Sequence, residues 1–235
     1  MTGRFLLPTM IAALLCGCRP DMTAITSHCA FTGRAPSIQP DYSGIIIPPN
    51  IAPLHFRIME KGRRFIVVFS SESGDSIVVG SKSSAIRIPQ RRWRDLCLRG
   101  RGRPLAISCF IRDSAGTWRS FAPLRDTIAA APIDGWITYR VLGFLYNYST
   151  DIRIRQRDLG SFRESDVINT NNFAWGCCNC HVPLNNEPGR FSVQVRTAGF
   201  GNGMLLADNG KISRIDARLG YAAWHPGGKT IVFSA

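Results

Sequence analysis

The chain has 235 residues, 45% hydrophobic and 19% charged, which supplies a substantial core and excludes wholesale disorder. Glycine (22) and proline (14) are plentiful and no long amphipathic run occurs, so a coiled coil or helical bundle is excluded and a turn-rich, mainly β protein is predicted. The formal charge of +13 comes from 25 arginines and only 4 lysines, and no apolar stretch reaches the ~20 residues of a membrane-spanning helix.

Met1 to Arg4 forms a short positive region, and Phe5 to Leu15 is apolar. Leu15-Cys16-Gly17-Cys18 follows. This resembles a bacterial lipoprotein signal ending in a lipobox. The resemblance implies that residues 1–17 are a signal peptide and that Cys18 becomes the lipid-carrying first residue of the mature chain. Cys16 stands where a small residue is more usual, and an ordinary secretory signal with a chance cysteine is the alternative. The expected place is the cell envelope, held to a membrane through the lipid anchor, in an oxidising compartment. Residues 18–40 then read as a tether, because Arg19 to Gln39 mixes Pro, Thr, Ser and Gly with few apolar residues.

Over residues 41–125, short apolar runs alternate with turn residues. Phe65-Ile66-Val67-Val68-Phe69 and Ile77-Val78-Val79 flank Ser73-Gly74-Asp75. This spacing predicts a β-sandwich-like module with Phe65, Val67, Phe69, Ile77, Val79, Trp93 and Phe110 in its core. Pro89 opens a short helix through Leu98, with Trp93, Leu96 and Cys97 on one face. Leu105 to Arg112 and Thr117 to Phe121 form a hairpin around Asp113-Ser114-Ala115-Gly116.

Residues 126–190 are aromatic-rich, with Trp136, Tyr139, Phe144, Tyr146 and Tyr148 expected in a core or a groove floor. Asp134 and Arg140 are either a buried bidentate pair or two separate surface charges. Residues 191–235 return to short strands: Phe191 to Arg196, Met204 to Ala207, Lys211 to Ile215 and Thr230 to Ser234. Trp224-His225-Pro226-Gly227-Gly228-Lys229 and the strand after it resemble one copy of the TolB-type propeller repeat, with His225 and Gly227 in place of the usual Ser and Asp. A propeller needs at least four blades. A single partial blade predicts a truncated propeller or a piece of a longer protein.

Trp175-Gly176-Cys177-Cys178-Asn179-Cys180-His181 holds one C-x-x-C-H at Cys177, Cys180 and His181, the attachment pattern of c-type haem. Two thiols at that spacing add to the porphyrin's two vinyl groups, and the adjacent histidine reaches the iron. The segment is expected to be a loop. Three alternatives stand beside the haem. Cys177, Cys178 or Cys180 pairs with Cys29, Cys97 or Cys109 in disulfides; the cluster binds zinc; or C-x-x-C is a redox dithiol. His28, His55, His225, Met22, Met59 and Met204 are the available second axial ligands. Of these His225 is weighed as an iron ligand against a side chain that fixes its own turn.

The arginines are scattered singly or in pairs, with no zinc-finger, helix-turn-helix or RNP pattern, so no nucleic-acid partner is expected. The densest stretch, Arg91 to Arg103, is either a solvated surface or a basic patch facing acidic lipid or polysaccharide. No G-x-S-x-G, P-loop, H-E-x-x-H or Rossmann glycine pattern occurs.

Separated segments in one order — Pro40-Asp41-Tyr42, Ile47 through Leu54, Pro132-Ile133-Asp134, Tyr139-Arg140, Gln156 through Leu159, Cys177-x-x-Cys180-His181 and Trp224-His225-Pro226 — resemble a family of Gram-negative envelope proteins termed cytochrome c biosynthesis or TolB-like propeller proteins. The resemblance implies a β-rich N-terminal module, a C-x-x-C-H segment and then a propeller, with no activity carried over. Two functions are expected. One is an envelope lipoprotein carrying covalent haem c for electron transfer, with a protein redox partner. The other is a non-enzymatic binding or scaffold lipoprotein with structural cysteines.

Overall fold

The computed structural model describes residues 22–143, 152–217 and 220–234. The signal peptide at residues 1–17, the anchor at Cys18, and Phe144, Tyr146 and Tyr148 lie outside the described residues. The protein is mainly β, with several sheets, none of them closed among the described residues. Its chain divides into two compact units. The first takes the described residues up to Ile45, His55–Ile88 and Pro104–Thr127; the second takes Ile46–Leu54, Pro89–Arg103 and the described residues from Ile128 on.

The first unit is organised by the strand Pro104–Arg112. Arg64–Ser71 pairs antiparallel along one edge of it, with Ser76–Ser81 outside that. The other edge is shared by Trp118–Ser120, closing the expected hairpin, and Leu124–Ile128. Strand alternation puts every second side chain on one face. Leu105, Ile107, Cys109 and Ile111 are accordingly buried, facing a core that also holds Phe65, Val67, Phe69, Ile77 and Val79. Phe110 departs from its expected burial: it falls on the other face of the same strand and is half-buried. A smaller sheet of Ile38–Gln39, Phe56–Ile58 and Ala85–Ile86 contributes Ile38, Phe56, Ile58 and Ile86 to the core. Phe56 meets Phe69 edge-on at 6.3 Å between ring centroids.

Part of the stretch read as a tether is structured. Met22–Ser27 is a short helix, and Ala30–Phe31 runs parallel to Arg119–Ser120. The pairing supplies backbone partners that composition does not reveal, with Thr32 N–H donating to the Ser120 carbonyl at 3.0 Å.

In the second unit, Gln90–Arg99 is the expected helix, with Pro89 just before it and Trp93, Leu96 and Cys97 buried. Trp93 donates its indole N–H to the Ile51 carbonyl at 3.1 Å. Trp136–Val141, Arg153–Asp158 and Glu164–Asn169 form an antiparallel sheet in that order. Ile152 and Ile154 are buried, whereas Trp136 is 46% exposed, so the aromatic stretch is not uniformly a core. Asp134 and Arg140 are both exposed. The alternating arginines form a carboxylate ladder, in which Arg155 reaches Glu164 at 3.1 Å and Asp166 at 3.0 Å. Partly exposed pairs of this kind are worth about 0–1 kcal/mol each.

Cys177–Pro183, Arg190–Thr197, Gly201–Asp208 and Lys211–Ile215 then form a four-stranded antiparallel meander. Ala222–Trp224 and Ile231–Phe233 make a separate hairpin. Asp208-Asn209-Gly210 closes the turn between the last two meander strands, with Asn209 and Gly210 both at positive φ, as a tight hairpin connection requires.

Candidate functional site at Cys177–His181

The segment expected to be a loop lies on a strand, Cys177–Pro183. Backbone pairing to Arg190–Thr197 accounts for the difference, since it recruits a polar sequence into a ladder. Upstream, a single turn of 3₁₀ helix, Thr170–Phe173, ends in Ala174 and Trp175 at positive φ. The Asn169 side chain caps that turn through the Asn171 N–H at 3.0 Å. Gly176 then enters the sheet against Thr197, where an added Cβ would run into the Thr197 side chain and stand 2.9 Å from the Arg196 carbonyl.

Register sorts the cysteines. Cys177 pairs with Arg196 and Cys178 with Val195, so neighbouring thiols turn to opposite faces. Cys178 is fully buried, its Sγ 3.6 Å from the Ile152 carbonyl. Burial pushes its thiol up to about 11. Cys177, Cys180 and His181 are half-buried.

Regular alternation would place Cys177 and Cys180 on opposite faces. A bulge intervenes: Asn179 pairs with Gln194 and Val182 with Ser192, so the bulged strand has one extra residue. Cys180 sits in it at φ 55°. Burial raises the Cys177 pKa; the Arg196 guanidinium opposes the rise, Cys180 adds to it and Arg140 opposes it.

The His181 pKa is lowered, first by burial and then by the Arg140 charge, against a raising contribution from the Thr138 backbone. The imidazole is therefore neutral at neutral pH, the form in which histidine ligates a metal. The hydrogen bond to the Thr138 backbone orients the ring, as outer contacts do for metal-binding histidines.

The remaining sequence candidates lie elsewhere. His225 is exposed, and its Nδ1 accepts from the Gly227 N–H at 3.1 Å within its own turn. His55 Nδ1 accepts from the Ile88 N–H at 3.2 Å. His28 and Met59 are exposed, and Met22 is half-buried. Met204 is fully buried two strands away, in register with Gln194 and Asn179, which sets it on the Cys177 face of the sheet. Cys97 and Cys109 are buried thiols pushed up to about 12 by burial, and Cys29 is half-buried. Among the described residues, no three His, Cys, Asp or Glu side chains gather closely enough to hold a metal ion by themselves.

The Thr138 carbonyl, Ile152 and Arg196 were not singled out by the sequence. Only tertiary pairing brings them to the motif, so no local pattern signals them. Gly176 just before the first cysteine is the one local mark of the close approach to Thr197.

No protein-family model matches the chain, and no match is found among curated proteins.

Proposed function

We propose that the protein is a cell-envelope lipoprotein, anchored at Cys18, that carries a covalently attached c-type haem and works in electron transfer with a protein redox partner. The observation supporting this reading is the sorting of the thiols. Cys177 and Cys180, the pair that C-x-x-C-H assigns to the porphyrin, are half-buried, while the bystander Cys178 is turned into the core. In this respect the residues fit the group.

Cys177 and Cys180 would hold the haem by adding each S–H across one vinyl double bond, and His181 would face the iron. The bound haem supplies one-electron chemistry. The chain's own contribution is a neutral, oriented imidazole and two thiols kept reachable by the bulge. Haem-stained denaturing gels after co-expression with an attachment system test the reading. A stained wild-type band supports it, and an unstained band from folded, exported protein rejects it.

A second reading is a non-enzymatic binding scaffold with structural cysteines. It is favoured by the extended backbone of the motif and by Trp224, whose indole N–H donates to the Val182 carbonyl at 3.0 Å. On this reading the meander and the Trp224 hairpin are successive elements of a TolB-like propeller, following a sandwich-like N-terminal module. The second reading predicts no haem stain, and any loss on changing Cys177 or Cys180 would then be a loss of stability alone.

A further inference from the structure

The helix Gln90–Arg99 buries Trp93, Leu96 and Cys97, which leaves its opposite side to solvent. That side carries Arg91, Arg92, Arg94 and Arg99, and the turn after it adds Arg101 and Arg103, all six exposed. Asp95 is the only acidic residue in this stretch. Arg91, Arg92, Arg94, Arg101 and Arg103 form no ion pair among the described residues. Their charges are thus not neutralised locally, unlike those of Arg155 and Arg157, which face Glu164.

We propose that this surface docks on a bilayer rich in anionic phospholipid. Three features favour that partner. The cations are arginines, whose planar fork matches phosphate oxygens in pairs. Arg94 and Leu98 also line a cleft of about 840 Å³, whose walls include Ile51, Pro53, Phe162 and Arg163. Leu98 and Phe162 are 40% and 50% exposed, so apolar surface lies beside the charge, as an interface of headgroups and acyl chains requires. The lipobox, finally, places a membrane within reach; this choice of partner rests on the anchoring half of the proposed function and not on the haem.

The apolar face of the helix is occupied by the protein core, so the helix cannot embed as a free amphipathic helix does. Binding is therefore peripheral and electrostatic, and it weakens with salt.

The test uses the mature chain from residue 18 carrying Cys18→Ala, which has no acyl chain. Flotation is measured with phosphatidylcholine vesicles and with phosphatidylcholine–phosphatidylglycerol vesicles, at low and high salt. The Cys18→Ala chain with its arginines intact, the reference for the variants below, should float only with the anionic vesicles and lose binding at high salt. R91E/R92E/R94E should weaken binding on the order of 100-fold. R63E/R64E/R125E, with the same charge change at other exposed positions, should bind within a few fold of the Cys18→Ala reference. R91Q/R92Q/R94Q preserves helix propensity and should also lose binding, which guards against unfolding of the reversed variant.

Equal loss in the control and the patch variants overturns the proposal. So does a folded glutamine variant that floats like the Cys18→Ala reference, absence of any preference for anionic vesicles, or binding of an oligonucleotide or acidic polysaccharide under conditions where vesicles are not bound. Palmitate labelling of the full-length chain against Cys18→Ala tests the anchor separately. Failure of one experiment therefore does not imply failure of the other.

Discussion

Pro104–Arg112 and Arg190–Thr197 are both interior strands paired antiparallel to their neighbours, yet they are buried in different ways. The first buries Leu105, Ile107, Cys109 and Ile111, one apolar face and no polar side chain. The second buries four consecutive residues, Ser192, Val193, Gln194 and Val195, so both of its faces are covered. Two of these are polar, and Ser192 Oγ and Gln194 Nε2 have no hydrogen-bond partner among the described residues. An unsatisfied buried polar group costs about 1–3 kcal/mol. The first strand is thus organised for stability. The second carries polar groups that a purely structural sheet would replace, and it is the strand on which Cys177 and Cys178 are registered.

The largest expected effect lies in the first region. Phe69→Ala removes a fully buried ring that packs edge-on against Phe56. It should cost about 3–5 kcal/mol in a urea melt. A loss below ~1 kcal/mol would remove the contrast between a rigid and a tolerant sheet. Gly176→Ala comes next. Its new Cβ runs into Thr197 beside the motif. Destabilisation of about 1–3 kcal/mol is expected from overpacking, and an unchanged melt would show that the strand entry moves freely.

Ser192→Ala sharpens the comparison from the other side. Deleting a buried hydroxyl without a partner should be neutral or stabilising, within about 1 kcal/mol. A large loss would show that Ser192 Oγ has a structural hydrogen bond.

The smallest effect is expected at Asp126, which is 4% exposed. Its Oδ1 accepts from the Ile45 N–H at 3.1 Å, while its Oδ2 has no hydrogen-bond partner among the described residues. Burial raises its pKa, with backbone hydrogen bonds from Ile45 and Gly44 opposing the rise. A folded-state pKa above the unfolded value means that the folded protein holds the proton more readily. The associated stability is complete below the unfolded pKa and is lost as pH rises through the folded pKa. Asp126→Asn keeps an acceptor and cannot ionise. It should therefore gain on wild type, by less than about 1 kcal/mol, as pH rises through that window. Parallel stability–pH curves for the two proteins would contradict this.

How legible the molecule was in its sequence follows the same division. In the first unit, β-branched and aromatic apolar runs such as Phe65 to Phe69 and the Asp113–Gly116 turn specify strands and their connection locally. The helix after Pro89 in the second unit was equally readable, because its apolar residues share one face. Phe110 was misplaced because hydrophobicity alone does not reveal which side of the strand faces the core; the buried positions 105, 107, 109 and 111 settle that. The Cys177–Pro183 strand was missed because its sequence has neither alternation nor a β-branched run, and pairing with Arg190–Thr197 decides its conformation. The chemistry-bearing residues were legible by spacing, whereas the bulge at Cys180 and the contact between His181 and Thr138 arise only from the fold.

The most direct test of the central proposal is a haem-stained denaturing gel of the exported protein and its cysteine variants, run after co-expression with a haem-attachment system. The account predicts a stained wild type, a stained Cys178→Ser, and stain reduced or lost in Cys177→Ser and Cys180→Ser. His181→Ala should shift the absorption spectrum without necessarily releasing the haem. A folded, exported wild-type protein that takes no stain would contradict the proposal, as would equal loss of stain in all three cysteine variants.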